Sequence, residues 1–498
     1  MNVNPITRLD YPDPDVIRVE DTYYMVSTTM HFMPGCEILQ SFDLVHWEHV
    51  TYVYETLDHT DAQQLKSGQN IYGQGMWAAS LRYHEGRFYI CFVANDTRKT
   101  YLYTSEKIDG PWKKQLIEGF YHDGSLLFDE DGRNYIVYGN DEIWITELNE
   151  DLTAPKKDGL HRLLVSDHKN PKLGYEGSHI QKINGYYYIF LVHSLRDRWM
   201  RTEACFYSDS LEGEFTGGDV LCDDRGYCGQ GVAQGGIVDT PDGKWYAMLF
   251  QDSGAVGRLP ILLPVTWKDH FPFFGQNGHV PEEIEVHSTR PGYIYQPLVG
   301  SDDFCNGLLP RWQFNHDPDP RYYHLDALQG TYTITTREVC TELTQAVNTL
   351  TQRMSYPSCA AEVTVDASAL KEGDVAGLCA LQSCYAAVGI TKHHGKYEVL
   401  MLDKKEDGIL DMTEGTVVES HQMDFRLEAD FCNMKDEARC YYRVNKGDWL
   451  PIGNVHKLYF KLDHFTGCRF GLFCYAAEET GGSACFRDFK YYDVDEIS

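Results

Sequence analysis

The stretch "GYEGSHIQKINGYYYIF", residues 174–190, decides how the first half of the chain is read. It is a hairpin: an apolar strand, an Asn-Gly turn, then a strand rich in tyrosine and β-branched residues. Glu176 is a lone carboxylate at the mouth of the first strand, which otherwise calls for burial. Four other stretches follow the same plan. They are "YPDPDVIRVEDTYYMVSTT" from Tyr11, "WAASLRYHEGRFYICFVAND" from Trp77, "HDGSLLFDEDGRNYIVYGND" from His122 and "AQGGIVDTPDGKWYAMLFQD" from Ala233.

A tyrosine after each turn serves as a ruler: Tyr24, Tyr89, Tyr135, Tyr188 and Tyr246, at successive intervals of 65, 46, 53 and 58 residues. Such intervals hold about four short strands, the content of one propeller blade. Long helical patterns are nearly absent. The expected architecture is all-β, a five-bladed β-propeller, with a β-sandwich made of the same hairpins as the alternative. Counting twelve residues back from the ruler gives Trp77, Asp123, Glu176 and Gln234; eleven back in the first copy gives Asp13. The count places all five at the start of a blade's inner strand, where blade symmetry gathers them around one funnel.

Three carboxylates and an indole at one mouth suit glycoside hydrolysis. Cleaving an acetal needs a proton donor on the leaving oxygen and a carboxylate for the other face of the sugar. A third carboxylate raises the donor's pKa by like-charge repulsion. An indole gives the sugar an apolar surface. Taken singly, each residue also has a structural reading: Asp13 and Asp123 as turn residues, Glu176 as a solvated rim residue, Trp77 as packing between blades. Their shared register favours the chemical one. The turn "DEDG" at 129–132 lacks the spaced ligands of a calcium loop and reads as a hairpin turn.

These motifs resemble glycoside hydrolase family 43, the five-bladed family of β-xylosidases, α-L-arabinofuranosidases and arabinanases. The resemblance runs through "NPITRLDYPDPDVIRVEDTYYMVST", "MWAASLRYHEGRFY", "HDGSLLFDEDGRNY", "YEGSHIQKINGYYY" and "GRLPILLPVTW", roughly residues 4–285. It implies inversion of configuration, with Asp13 as general base, Glu176 as general acid and Asp123 as the acid that orients Glu176 and lifts its pKa. It further implies that Arg258 lies near the sugar and that His31 and Phe32, in "TTMHFMPG", shape its pocket, although packing suits those two nearly as well. Many relatives carry a histidine near an axial calcium ion or water where this chain has Gln234. An amide oxygen can ligate a hard cation, so axial calcium stays open. No metal or other cofactor is required, and Gln234 is grouped with the sugar-binding residues.

The repeat stops after "GRLPILLPVTW". The expected division is a propeller over 1–288, a linker over 289–303 ("TRPGYIYQPLVGSDD") and a β-sandwich over 304–498, whose strands include "CAAEVTVDA" and "CRFGLFCYA". In the xylosidase-like branch of the family such a sandwich can send a loop to the pocket and favour removal of terminal sugars; the sequence does not name the loop residue here.

The 498 residues carry a net charge of 44 − 74 = −30, which repels phosphate backbones and argues against nucleic acid as a partner. No run of 18 apolar residues offers a membrane span. The N-terminus has neither a basic nor an apolar leader segment. The fifteen cysteines, ten of them after residue 300, form no CxxC pairs. They read as buried free thiols in a reducing compartment, so a cytoplasmic location is expected. The expected function is an inverting, exo-acting hydrolase releasing xylose or arabinofuranose from xylo- or arabino-oligosaccharides. Its rivals are a binding propeller without catalysis and a retaining fructan-type hydrolase, for which an Asn-Asp-Pro motif is missing. Homo-oligomer formation stays open.

Overall fold

The computed structural model describes residues 4–413 and 415–493. Twenty strands form five four-stranded antiparallel sheets, each a simple meander. Blade 1 runs Asp15–Val19, Thr22–Ser27, Gly35–Ser41 and Glu48–Tyr54. The inner strands of blades 2 to 5 are Met76–His84, Ser125–Phe128, Glu176–Ile183 and Val232–Asp239. In blade 4 the turn has left-handed backbone at both Asn184 (φ 51°) and Gly185 (φ 84°), as a type I′ hairpin requires.

The second strands are buried almost throughout because a blade is covered on both faces. Alternate side chains therefore enter two different cores. Met25 packs toward blade 5, with Met248 and Leu262. Val26, next in sequence, packs toward blade 2, with Ile90 and Phe92. Five wedge-shaped cores result, one between each pair of neighbouring blades. Each ruler tyrosine points into the wedge shared with the following blade, and Tyr246 closes the circle against blade 1. The ring is also latched by the N-terminal segment on the strand Arg258–Lys268 of blade 5. Ile6 N donates to Pro260 O (3.1 Å), and the Asn4 side chain pairs with both backbone groups of Leu262 (2.7 and 2.9 Å).

Residues 289–296 cross the outside of blade 1. Thr289 N donates to Phe42 O (2.7 Å), Tyr295 Oη accepts from Phe42 N (2.8 Å), and Gln296 N donates to Glu48 (2.9 Å). The chain then forms two packed sheets. One has seven strands, with Ser358–Asp366 paired on either side by Ser483–Asp493 and Gln422–Asp430. The other has nine and includes a strand of the propeller: Phe32–Met33 pairs with Gln313–Asn315. Val363, Phe425, Leu378, Val388 and Leu472 fill the space between the sheets, together with Ala255, Val256 and Leu259 of blade 5. The two domains thus share a sheet and a core. Buried charge joins them as well: Arg353 of the sandwich contacts Glu37 of blade 1 at 2.8 Å and lies over the Tyr11 ring at 4.0 Å.

Candidate active site

Strand pairing gives the repeat position directly. Asp15, Ser80, Ser125, His179 and Gly236 each pair with the residue two beyond a ruler tyrosine. Two residues before them stand Asp13, Ala78, Asp123, Gly177 and Gln234. Counting along the sequence therefore put Trp77 and Glu176 one residue too far upstream to be strict equivalents. The cause is turn length. Blades 1, 2 and 4 have two-residue turns, whereas residues 129–133 and 240–244 make five-residue loops in blades 3 and 5. Backbone conformation marks the same position: Asp13, Asp123, Gly177 and Gln234 have φ of 52°, 48°, 65° and 65°. Left-handed backbone at non-glycine residues is costly and concentrates at functional sites.

The displaced residue still joins the ring. In blade 4 the left-handed position goes to Gly177, whose N–H donates to Asp123 Oδ2 at 2.9 Å. A Cβ there would stand 2.7 Å from the Gln234 Cγ, so glycine lets blades 3, 4 and 5 meet. Glu176, just before it, faces the same cavity. Its Oε2 accepts from Asn140 Nδ2 at 2.7 Å and lies 3.7 Å from His122 Nε2. That imidazole nitrogen is 3.5 Å from Asp123 Oδ2.

On the blade 1 side, both Asp13 oxygens are engaged. Thr28 Oγ1 donates to Oδ2 at 2.6 Å, and Arg258 Nη1 donates to Oδ1 at 2.9 Å. Arg258 is buried, and its Nε and Nη2 have no hydrogen-bond acceptor among the described residues. Its guanidinium lies 4.3 Å from the Phe465 ring centroid. Phe465 is carried on a sandwich loop and also approaches Trp77 (5.6 Å between rings), whose other neighbour is His122 (5.8 Å). The cavity wall is therefore shared by both domains.

Charge is arranged unevenly. Burial raises the Asp123 carboxyl to about 6; His122 opposes this, and Glu176 and Asp13 add to it. Burial works to lower the His122 imidazole, but Asp123 and Glu176 outweigh it and raise it to about 9. Exposure differs among the three: the Glu176 side chain is 17% exposed against 5% for Asp123 and 7% for Asp13.

Asp13, Asp123, Glu176, Arg258 and Trp77 are thus linked in one cluster through His122, Gly177 and Phe465. Gln234 lies just behind it, packed on Gly177, with its N–H bonded to Glu203 at 2.7 Å. His31 and Phe32 pack on the sandwich: His31 is 4.8 Å from His316, and the Arg469 guanidinium lies 3.5 Å from the Phe32 ring. Sequence reasoning missed three residues at the cavity. His122 adjoins Asp123 in the quoted motif and was within reach. Asn140 and Phe465 arrive from a second strand and from the other domain, with no local signal.

The propeller axis below the cavity holds an ion pair. Asp15 accepts from Arg82 Nη1 (2.8 Å) and Leu81 N (2.7 Å) and contacts His179 Nδ1 (3.0 Å), while Arg82 also reaches Ser125 and Leu126 of blade 3. An axial calcium would share this space with a guanidinium and find Gln234 offering one amide oxygen, a poor match to a cation that prefers six to eight oxygens.

The sequence model of glycosyl hydrolases family 43 matches residues 3–272, and that of the β-xylosidase C-terminal concanavalin A-like domain matches residues 301–492. A β-xylosidase of Formosa agariphila is 26% identical over 99% of this chain and 89% of its own. A non-reducing end α-L-arabinofuranosidase of Bacteroides ovatus is 24% identical over 82% of this chain and 79% of its own. Among solved structures, a bifunctional GH43-CE protein of Bacteroides eggerthii superimposes with a TM-score of 0.93 at 42% identity. It covers 99% of this chain, which spans only 64% of that longer protein.

Proposed function

Since the chain belongs to glycosyl hydrolases family 43, we propose that it is an inverting, exo-acting hydrolase of pentose-containing oligosaccharides, releasing terminal β-D-xylose or α-L-arabinofuranose. One observation carries the reading: acids from blades 1, 3 and 4 converge, with His122 between Asp123 and Glu176 (3.5 and 3.7 Å) and Arg258 of blade 5 on Asp13 (2.9 Å). Glu176, the most exposed of the three, gives its proton to the glycosidic oxygen as the bond from the anomeric carbon breaks. Asp13 takes a proton from the water whose oxygen bonds to that carbon from the opposite face. Arg258 and Thr28 fix the Asp13 carboxylate, and the free Arg258 donors suit sugar hydroxyls. Asp123, bonded to the backbone next to Glu176, holds the acid in place.

Phe465 and the sandwich loop wall one side of the cavity, which suits a pocket for chain ends more than an open cleft. The names of the two curated relatives favour xylose and arabinofuranose as the released sugars. All fifteen cysteines are free, which suits a reducing compartment and imported oligosaccharides; no described helix is long and apolar enough to cross a membrane.

Two measurements test this. A panel of aryl β-D-xyloside, aryl α-L-arabinofuranoside, xylobiose and arabino-oligosaccharides should show turnover on at least one pentoside. On an unactivated oligosaccharide, Glu176→Gln should cost about 10²–10⁴-fold in kcat, the usual worth of a general acid; unchanged turnover removes its role. Proton NMR should show first the product of inverted configuration, and a retained product excludes Asp13 as base.

A further inference from the structure

His122, Asp123 and Glu176 form a donor set that acid catalysis does not by itself explain. Their facing atoms, one imidazole nitrogen and two carboxylate oxygens, all lie within 4.8 Å of one another. The nitrogen stands 3.5 Å from Asp123 Oδ2 and 3.7 Å from Glu176 Oε2. Ligands bound at about 2.1 Å to one tetrahedral zinc ion are separated by about 3.4 Å. Two of the three separations therefore already fit, and a small side-chain movement closes the third.

The nitrogen itself is loosely held. His122 Nε2 is buried and is held only by the two carboxylates at 3.5 and 3.7 Å, with no closer hydrogen bond among the described residues. A buried polar atom normally finds a partner. The carboxylates are already oriented from behind, Glu176 by Asn140 and Asp123 by the Gly177 N–H. Outer partners of this kind fix ligands at metal centres.

We propose that this trio binds a divalent transition-metal ion, zinc in particular, and that binding switches the hydrolase off. One nitrogen and two carboxylate oxygens suit zinc, cobalt or nickel better than calcium or magnesium. Three protein ligands leave one position open to the pocket. The ion displaces the protons held on the ligand atoms and occupies the Glu176 oxygen that must carry a proton to the leaving group. Inhibition rests on the hydrolase reading above; binding itself does not.

The test is a zinc titration of chelator-treated, dialysed protein, read by calorimetry and by hydrolysis of an aryl pentoside. Exposed thiols such as Cys222, Cys228, Cys305 and Cys432 also take zinc, so the comparison is with His122→Asn and His122→Phe, each against its own zinc-free rate. The expected result is a single tightest site in the parent protein that both variants lose, a zinc inhibition constant at least tenfold weaker in the variants, and displacement of the ion by D-xylose or L-arabinose. Two variants guard against misfolding of one, checked by melting temperature. An unchanged tightest site and inhibition constant in a folded variant overturns the proposal. Protein that binds zinc at His122 yet cleaves no pentoside refutes the hydrolase reading and leaves the metal site standing.

Discussion

At the residue scale, Gly177 decides more than its size suggests. It holds left-handed backbone, gives its N–H to Asp123, and leaves no room for a Cβ beside Gln234. Gly177→Ala should cost about 1–3 kcal/mol of stability through backbone strain and overpacking and lower kcat at least tenfold, measured by denaturant unfolding and by pentoside turnover. Arg258→Lys keeps the charge but loses the planar donor set. The expected outcome is a fall of about 10–100-fold in kcat/KM, with a larger share in kcat if the arginine fixes Asp13. Asp13 and Asp123 were legible as a repeated position. Glu176 was found through a count that is one residue off in its blade, because turn length is invisible to simple spacing. His122 lies beside a residue already singled out, and its meaning depends on Glu176, 54 positions away in the chain.

At the element scale, the sandwich loop around Phe465 is the least legible part of the site. Phe465 has left-handed backbone at φ 55° and sets its ring between Arg258 and Trp77. The loop is anchored beside it, where His464 stacks on Tyr72 of the propeller, 3.8 Å between ring centres and 4° from parallel. Phe465→Ala should raise KM for short oligosaccharides while Tm changes by only a few degrees; an unchanged KM denies the ring a place in the sugar pocket. The hairpins were readable because period-two patterning and Asn-Gly turns are local signals. The pairing of Phe32–Met33 with Gln313–Asn315 was not, since it joins segments nearly 300 residues apart.

For the whole molecule, acidity tests the docking of the two domains. His31, His316 and His464 are buried together, and burial holds all three below the usual histidine range, His464 down to about 3. Their neutral forms are favoured in the fold, so this contribution is complete above about 6.5 and is lost as pH falls below it toward 3. Glu37 acts lower down. Burial works to raise its carboxyl, but Arg353 and His49 hold it at about 2, so its contribution is present above about 4.5 and lost as pH falls toward 2. Tm should therefore begin to fall below pH 6.5 and fall further below 4.5, with His31→Phe flattening the upper part. Adding calcium to chelator-treated protein should leave Tm unchanged, because the axis is held by Arg82 and Asp15; a large rise would restore a structural ion.

The sequence by itself determined the five hairpins, their order around a ring, the change of pattern near residue 289 and the candidate acids. These follow from side-chain alternation, turn residues and composition, which act between near neighbours in the chain. Only the tertiary structure decided the true register of blades 2 and 4, the ion pair on the axis, the seat of Phe465 and the meeting of His122 with Glu176. Those depend on turn lengths and on packing between segments far apart in sequence, where a shift of one residue redirects a side chain and no local pattern records it.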